Sequence, residues 1–270
     1  MHEQNYDYLR KQLKFTGFGD HLQRELRTKM SARPANPSFT MLFRTEIGED
    51  PVEALLQFRK SDDSELYFFN RYGLQVKNRL GTNPHTQSFW IGRENNITLK
   101  EGYNLLKGRS VYKEILPKDG EKYHAWLQLN FKETNEQGDF KIRQFHPNYG
   151  FDLKQVLERF EIIELENPEN AQALIRSLEK GNRQAIGLRY EGREEKMFIE
   201  ACPQYKSVNI YNSQQLRINI HSQGHAKKEA QKNSPLAGDN QGPEAEEQDK
   251  PGEFPAEKKR RKRIRSQRIS

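Results

Sequence analysis

The residues able to do acid–base, nucleophilic or metal chemistry are scattered along this chain. The seven histidines are His2, His21, His85, His124, His146, His221 and His225. Only His221 and His225 stand at a helical i, i+4 spacing, and they fall in a stretch too polar to fold, so no metal site is expected. The single cysteine, Cys202, excludes an internal disulfide framework and a cysteine-based zinc cluster. It ends an apolar strand before Pro203 and reads as a small buried side chain. Glu194-Glu195-Lys196 contains the Glu-x-Lys of some metal-dependent nucleases, but it lacks an upstream acidic partner and reads as a solvated charge run. Gly17-Phe18-Gly19 begins like a dinucleotide fingerprint, yet Leu22 occupies the third glycine position and no strand precedes it. The segment reads instead as a turn at a helix start, with Asp20 as N-cap. No phosphate-binding Gly-x4-Gly-Lys-Ser/Thr loop is present, and no Ser/His/Asp or Cys/His arrangement can be placed. The expectation is a protein that is not an enzyme, with no catalytic residue and no cofactor.

Binding chemistry is more legible. The chain has 270 residues and a formal net charge of +7. Residues 1–220 carry 33 Lys/Arg against 30 Asp/Glu, and residues 221–255 carry 4 against 7. Residues 256–270 carry 8 against 1, which equals the whole excess. Lys258, Lys259, Arg260, Arg261, Lys262 and Arg263 form one block, extended by Arg265 and Arg268. A basic body would argue for a nucleic-acid groove, whereas a basic tail argues for a tethered electrostatic arm. Such an arm displaces condensed counterions from DNA or RNA without reading bases. In a nucleated cell the same block would read as a nuclear-localisation signal. A merely solubilising terminus is the competing reading.

A second candidate surface lies in the strand Tyr123 to Phe131. Tyr123, Ala125, Leu127, Leu129 and Phe131 face one way, and His124, Trp126, Gln128 and Asn130 the other. In the next strand Lys141, Arg143 and Phe145 share a side. If the two strands pair with these sides together, Trp126, Lys141, Arg143 and Phe145 make a basic, aromatic surface suited to single-stranded nucleic acid. The alternative is that Trp126 packs beneath a neighbouring unit. Arg109 and Arg183, each just after a glycine, either reach back to helix carbonyls or project together as a site. The first is favoured.

These groups must be positioned by elements whose pattern repeats. Leu105-Leu106-Lys107-Gly108 recurs 73 residues later as Leu178-Glu179-Lys180-Gly181. Each closes an amphipathic run, Leu99, Tyr103, Leu106 and then Ala171, Leu174, Leu178, and each glycine reads as a helix C-cap. Strands follow at Arg109 to Ile115, Tyr123 to Phe131 and Phe140 to Phe145, and again at Arg183 to Tyr190, Lys196 to Ala201 and Lys206 to Tyr211. Turns at Lys118-Asp119-Gly120-Glu121 and Glu191-Gly192-Arg193 separate the first two strands of each set. The N-terminal third reads as a degenerate copy: a helix, His21 to Met30, then strands Phe39 to Ile47, Val52 to Arg59 and Leu66 to Val76. An extra helix, Phe151 to Phe160, precedes the third unit. The expected fold is α+β. It comprises three tandem helix-plus-antiparallel-meander units, at 1–80, 81–150 and 151–220, and a disordered linker and basic tail at 221–270. Hydrophobic residues are 33% of the chain and charged residues 31%. No apolar run reaches the ~18 residues of a membrane helix, and the first fifteen residues carry no secretory apolar core. A cytoplasmic protein is expected, without a membrane partner.

Several segments resemble a known family. They are Asn96 to Glu101, Asn104 to Val111, Tyr123 to Lys132, Asn148 to Leu153, Lys180 to Gln184 and Ala201 to Asn209. Together they are similar to an uncharacterised domain family of Bacteroides-type bacteria, encoded on conjugative transposons and mobilisable elements. The resemblance covers most of residues 1–211. It implies a mobile-element setting, with a protein of that element as a further partner, and it carries no accepted activity or catalytic residues. Family members often have Asn where this chain has Cys202, which argues against a ligand role for the thiol. The functional expectation is a non-enzymatic accessory protein of a bacterial mobile element that binds DNA or RNA weakly, non-specifically and largely electrostatically. The alternative is a protein-interaction scaffold with a solubilising tail.

Overall fold

A computed structural model describes residues 2–32, 37–77, 85–117, 120–190 and 192–220. The linker and tail from 221 onward, with every cation from Lys258 to Arg268, lie outside the described residues, as do parts of the turns at 118–119 and 191. The fold is mixed α+β, with three antiparallel sheets.

Two helices open the chain, α1 (Glu3–Phe15) and α2 (Gln23–Ser31). Tyr6, Leu9 and Leu13 fall on one face of α1 and are buried. Gly17-Phe18 is the end of α1 and not the start of α2. Gly17 takes φ 94°, its N–H donates to the Lys14 carbonyl at 3.1 Å, and the Phe18 N–H donates to the Leu13 carbonyl at 2.9 Å. These are the paired bonds of a Schellman cap, and Phe18 is buried beyond it. Asp20 does not cap α2. Its side chain accepts from the Gln23 amide group at 2.6 Å, and Leu22 holds the N-cap position.

The first sheet runs in the order β1 (Ser38–Ile47), β2 (Asp50–Lys60), β3 (Tyr67–Val76) and β4 (His85–Trp90). Alternation along β2 sends Val52, Ala54, Leu56 and Phe58 inward. Helix α3 (Leu99–Leu106) packs on that inner face. Gly102 is required there, because an added Cβ would sit 2.9 Å from the Phe89 ring and 3.1 Å from the Tyr72 hydroxyl. A capping box between Thr98 and Glu101 starts the helix.

The second sheet is β5 (Val111–Ile115), β6 (Tyr123–Thr134) and β7 (Phe140–Phe145) in that order. The third is β8 (Gln184–Tyr190), β9 (Arg193–Cys202), β10 (Ser207–Tyr211) and β11 (Arg217–Ile218). The helices α4 (Leu153–Leu157) and α5 (Pro168–Glu179) lie between them in sequence, and Asp152 and Asn167 cap their starts.

The second sheet joins two cores. Val111, Leu127 and Leu129 belong to the core of α1, α2, α3 and the first sheet. Trp126 and Phe145 belong to the core of α4, α5 and the third sheet. Strand β6 is therefore buried on both faces, which its single-faced alternation does not predict. Trp126 is 5% exposed and meets the Phe151 ring edge-on at 5.4 Å.

Trp126→Ala would leave a large void between the second and third sheets, at a cost of about 3–5 kcal/mol. The expected urea unfolding curve has a lower midpoint and keeps coincident circular-dichroism and tyrosine-fluorescence transitions. Transitions that separate would show that the two cores melt independently.

Candidate functional site

The surface expected around Trp126 is only half present. The register pairs Trp126 with Phe145, Gln128 with Arg143 and Asn130 with Lys141, so these residues do share a face. Burial of Trp126 and Phe145 removes the rings from solvent, because α4 and the third sheet cover that end. At the open end the Lys141 ammonium pairs with Glu133 at 2.9 Å, and Arg143 is half-buried. No stacking surface remains there.

Arg109 and Arg183 do project together. Both turn toward Glu200 of β9 and not toward helix carbonyls. The Arg183 Nη2 lies 3.2 Å from Glu200 Oε2, and the Arg109 Nε lies 3.8 Å from the same oxygen. The carboxylate's other oxygen accepts from Tyr211 Oη at 2.5 Å and from Asn209 Nδ2 at 3.1 Å. Arg109 also donates to Asn104 Oδ1 at 2.8 Å, and the buried Asn104 amide donates to the Lys180 carbonyl at 2.6 Å. The Arg183 guanidinium stacks 3.6 Å above the Tyr211 ring.

This convergence has a local cause. Arg109 directly follows Gly108, and Arg183 stands one residue further beyond its glycine, Gly181. The two helix ends close alike. The Arg109 N–H donates to the Asn104 carbonyl and the Asn182 N–H to the Ser177 carbonyl. The ends also touch, since a Cβ on Gly181 would stand 2.8 Å from the Ser110 carbonyl oxygen. Gly181 therefore serves both its φ of 76° and a close approach of backbones. Burial, then the Glu200 hydrogen bond and charge, push the Tyr211 phenol up to about 12. The arrangement is a hydrogen-bonded and ionic network that ties the third sheet to α3.

Beside it, Tyr103 donates to Asp50 Oδ2 at 2.8 Å and Lys107 pairs with the same atom at 2.9 Å. Burial pushes the Asp50 carboxyl up, but the bonds from Lys107 and Tyr103 outweigh it and hold the carboxyl below its ordinary value. Burial and Asp50 push the Tyr103 phenol up to about 12.

The other reactive-looking groups have structural partners. His124 stacks on Tyr112 at 5.3 Å, His85 meets Phe131 edge-on at 5.0 Å, and His146 lies 5.0 Å from Tyr123. Glu194 pairs with Arg189 at 2.9 Å. Cys202 is buried, which pushes its thiol up. Among the described residues no three His, Cys, Asp or Glu side chains are placed to hold a metal ion, and no helix is long and apolar enough to cross a membrane.

The outer face of the first sheet is a surface that sequence reasoning missed. Its register sets Thr40, Gln57, Arg71 and Trp90 in one row and Leu42, Leu55, Gly73 and Ser88 in the next. Leu42, Leu55, Phe68 and Trp90 are exposed on it. The signal was available as strict alternation in β2, where Val52, Ala54, Leu56 and Phe58 point inward and leave Leu55 outward. No protein-family model, curated protein or solved structure matches the chain.

Glu200→Gln would leave two guanidinium groups facing each other over a neutral amide. Breaking one side of a buried ion pair costs about 3–5 kcal/mol, and the expected loss, measured by urea unfolding, lies at the lower end because Arg183 is 28% exposed. A loss below about 0.5 kcal/mol, the range of ordinary surface changes, would show that the network does not hold the third sheet to α3. Asp50→Asn has a pH-dependent effect of about 1–2 kcal/mol. A carboxyl held below its unfolded value near 3.9 contributes stability above that pH and loses it as pH falls through the folded value. The difference between parent and variant is expected at pH 6 and should shrink as the pH falls below about 3.9; a difference that persists unchanged in acid would exclude the charge as its source.

Proposed function

We propose that this chain is a non-enzymatic nucleic-acid-binding accessory protein whose affinity comes mainly from its basic C-terminal tail. The observation that carries this reading is the segregation of charge. The last fifteen residues hold 8 Lys/Arg and 1 Asp/Glu, while residues 1–220 are nearly balanced. Several of the body's cations are also engaged: Arg44 and Lys77 with Glu53, Arg59 with Asp62, Lys113 with Glu101, Lys141 with Glu133. The tail's block has no such balance within it, so phosphates are its natural counter-charge. The resemblance to mobile-element proteins supports DNA as the working substrate. A scaffold reading draws on β1, a ten-residue strand that among the described residues pairs with β2 alone, and whose other edge would accept a partner strand.

The test is fluorescence anisotropy with labelled DNA over a salt series. It compares the full chain with a variant in which Lys258, Lys259, Arg260, Arg261, Lys262, Arg263, Arg265 and Arg268 are all glutamine. The parent is expected to show a log–log salt slope approaching about −7 if all eight cations engage, at roughly −0.9 per neutralised phosphate. The variant should lose most of the affinity and most of the slope. Equal binding by both proteins would remove the tail from the function, and binding by neither would leave the scaffold reading.

A further inference from the structure

The bare face of the first sheet carries rings, a cation and a hollow in one place. Trp90 is 43% exposed and Phe68 45%. The Arg71 guanidinium lies 5.2 Å from the Trp90 ring centroid, and its Nε donates to Gln57 Oε1 at 2.7 Å. That bond fixes the plane of the guanidinium without neutralising it. Among the described residues no carboxylate pairs with Arg71, whereas Arg44, Arg59 and Lys77 on the same sheet each meet one. A bulge creates the arrangement. Phe69 pairs with Phe58 and Arg71 with Gln57, so Asn70 is the extra residue. Phe68 and Arg71, three positions apart, thereby face the same side. Next to Arg71, a Cβ added to Gly73 would meet nothing within 4 Å. The sheet therefore has a hollow one side chain deep, in the row between Leu55 and Ser88.

We propose that this face is a stacking platform for single-stranded nucleic acid. One base lies against the Trp90–Arg71 pair, its neighbour enters the Gly73 hollow against Leu55 and Leu42, and the intervening phosphate meets the unneutralised Arg71 charge. Exposed rings on a four-stranded sheet accept unstacked bases, and four strands about 4.8 Å apart leave room for two or three. A duplex hides its base faces and gains nothing from the platform. The proposal rests on the nucleic-acid reading above and assigns a second contact, within the body, that selects strandedness while the tail supplies charge.

The chain's two tryptophans make the test direct, because Trp126 is 5% exposed and shielded while Trp90 is open. The full chain is titrated with a fifteen-nucleotide oligothymidine and with a fifteen-base-pair duplex, following both anisotropy and tryptophan fluorescence. Oligothymidine is expected to quench the fluorescence and the duplex is not. Trp90→Ala should abolish the quenching and weaken oligothymidine binding about tenfold, as loss of one stacked base does, with duplex affinity within twofold of the parent. Gly73→Val fills the hollow at a position with ordinary backbone angles and should weaken oligothymidine alone. Circular dichroism confirms that both variants fold. If Trp90→Ala binds oligothymidine as the parent does, or if the duplex quenches equally, the platform is wrong while tail binding stands. If the parent binds neither probe, the platform and the nucleic-acid function fall together.

Discussion

The two-sided burial of β6 is the constraint on which the rest of the structure depends. Leu127 and Leu129 belong to one core, and Trp126, directly before Leu127 in sequence and on the opposite face, belongs to the other. A strand normally alternates between core and solvent, and its register is fixed by the single buried face. Here a one-residue slip would exchange large and small side chains between two cores at once, so the register is specified twice. The middle sheet has three strands, about the least that makes a stable surface, and it is stable because both of its faces are covered.

Polar contacts then set how the layers meet. Asn104, Arg109, Glu200, Arg183 and Tyr211 form one network across the junction between α3 and the third sheet. Such a network adds little net stability compared with apolar packing, but it penalises other arrangements, because each misplaced member would be a buried charge without its partner. A similar logic operates between the first two sheets. Gln87 of β4 both donates to and accepts from the backbone of Phe140 at the start of β7, and Asp139 accepts from the Ser88 N–H at 2.6 Å. Side chains thus close the β4 edge that strand pairing leaves open.

Much of the fold was legible in the sequence. The amphipathic run Leu99, Tyr103, Leu106 and the glycine after it mark α3, and the runs from Arg183 to Tyr190 and from Lys196 to Ala201 are strands within a residue or a few of their observed limits. Three features were not legible. Helix α1 hides its apolar face among polar residues, since only Tyr6, Leu9 and Leu13 betray it. Strand β4 reads as ordinary polar chain because Gln87, one of its buried positions, is a glutamine whose amide serves β7. Trp126 occupies the only large apolar position on a polar-looking face, and local pattern does not say which later element will cover that face. The convergence of Arg109 and Arg183 on Glu200 has the same character. The local signal, an arginine at or just after a helix cap, was visible, but its partner lies on a strand that the fold brings in from elsewhere.

The two tryptophans show why exposure is a property of topology more than of the local sequence. Trp126 and Trp90 both sit on strands, each on the face opposite its strand's main core residues. The chain continues past β6 into α4, α5 and the third sheet, which fold back over Trp126. Beyond β4 the chain turns into α3, which packs on the inner face of the first sheet, and no described element covers the outer one. Trp90, Leu42, Leu55 and Phe68 are all exposed on that one outer face. On this face the rings stand beside Arg71, a guanidinium that no carboxylate meets among the described residues. Under the proposed function the basic tail, with 8 Lys/Arg against 1 Asp/Glu in its last fifteen residues, would supply a complementary, non-selective attraction. That division would let salt tune affinity through the tail while strandedness is decided on the sheet.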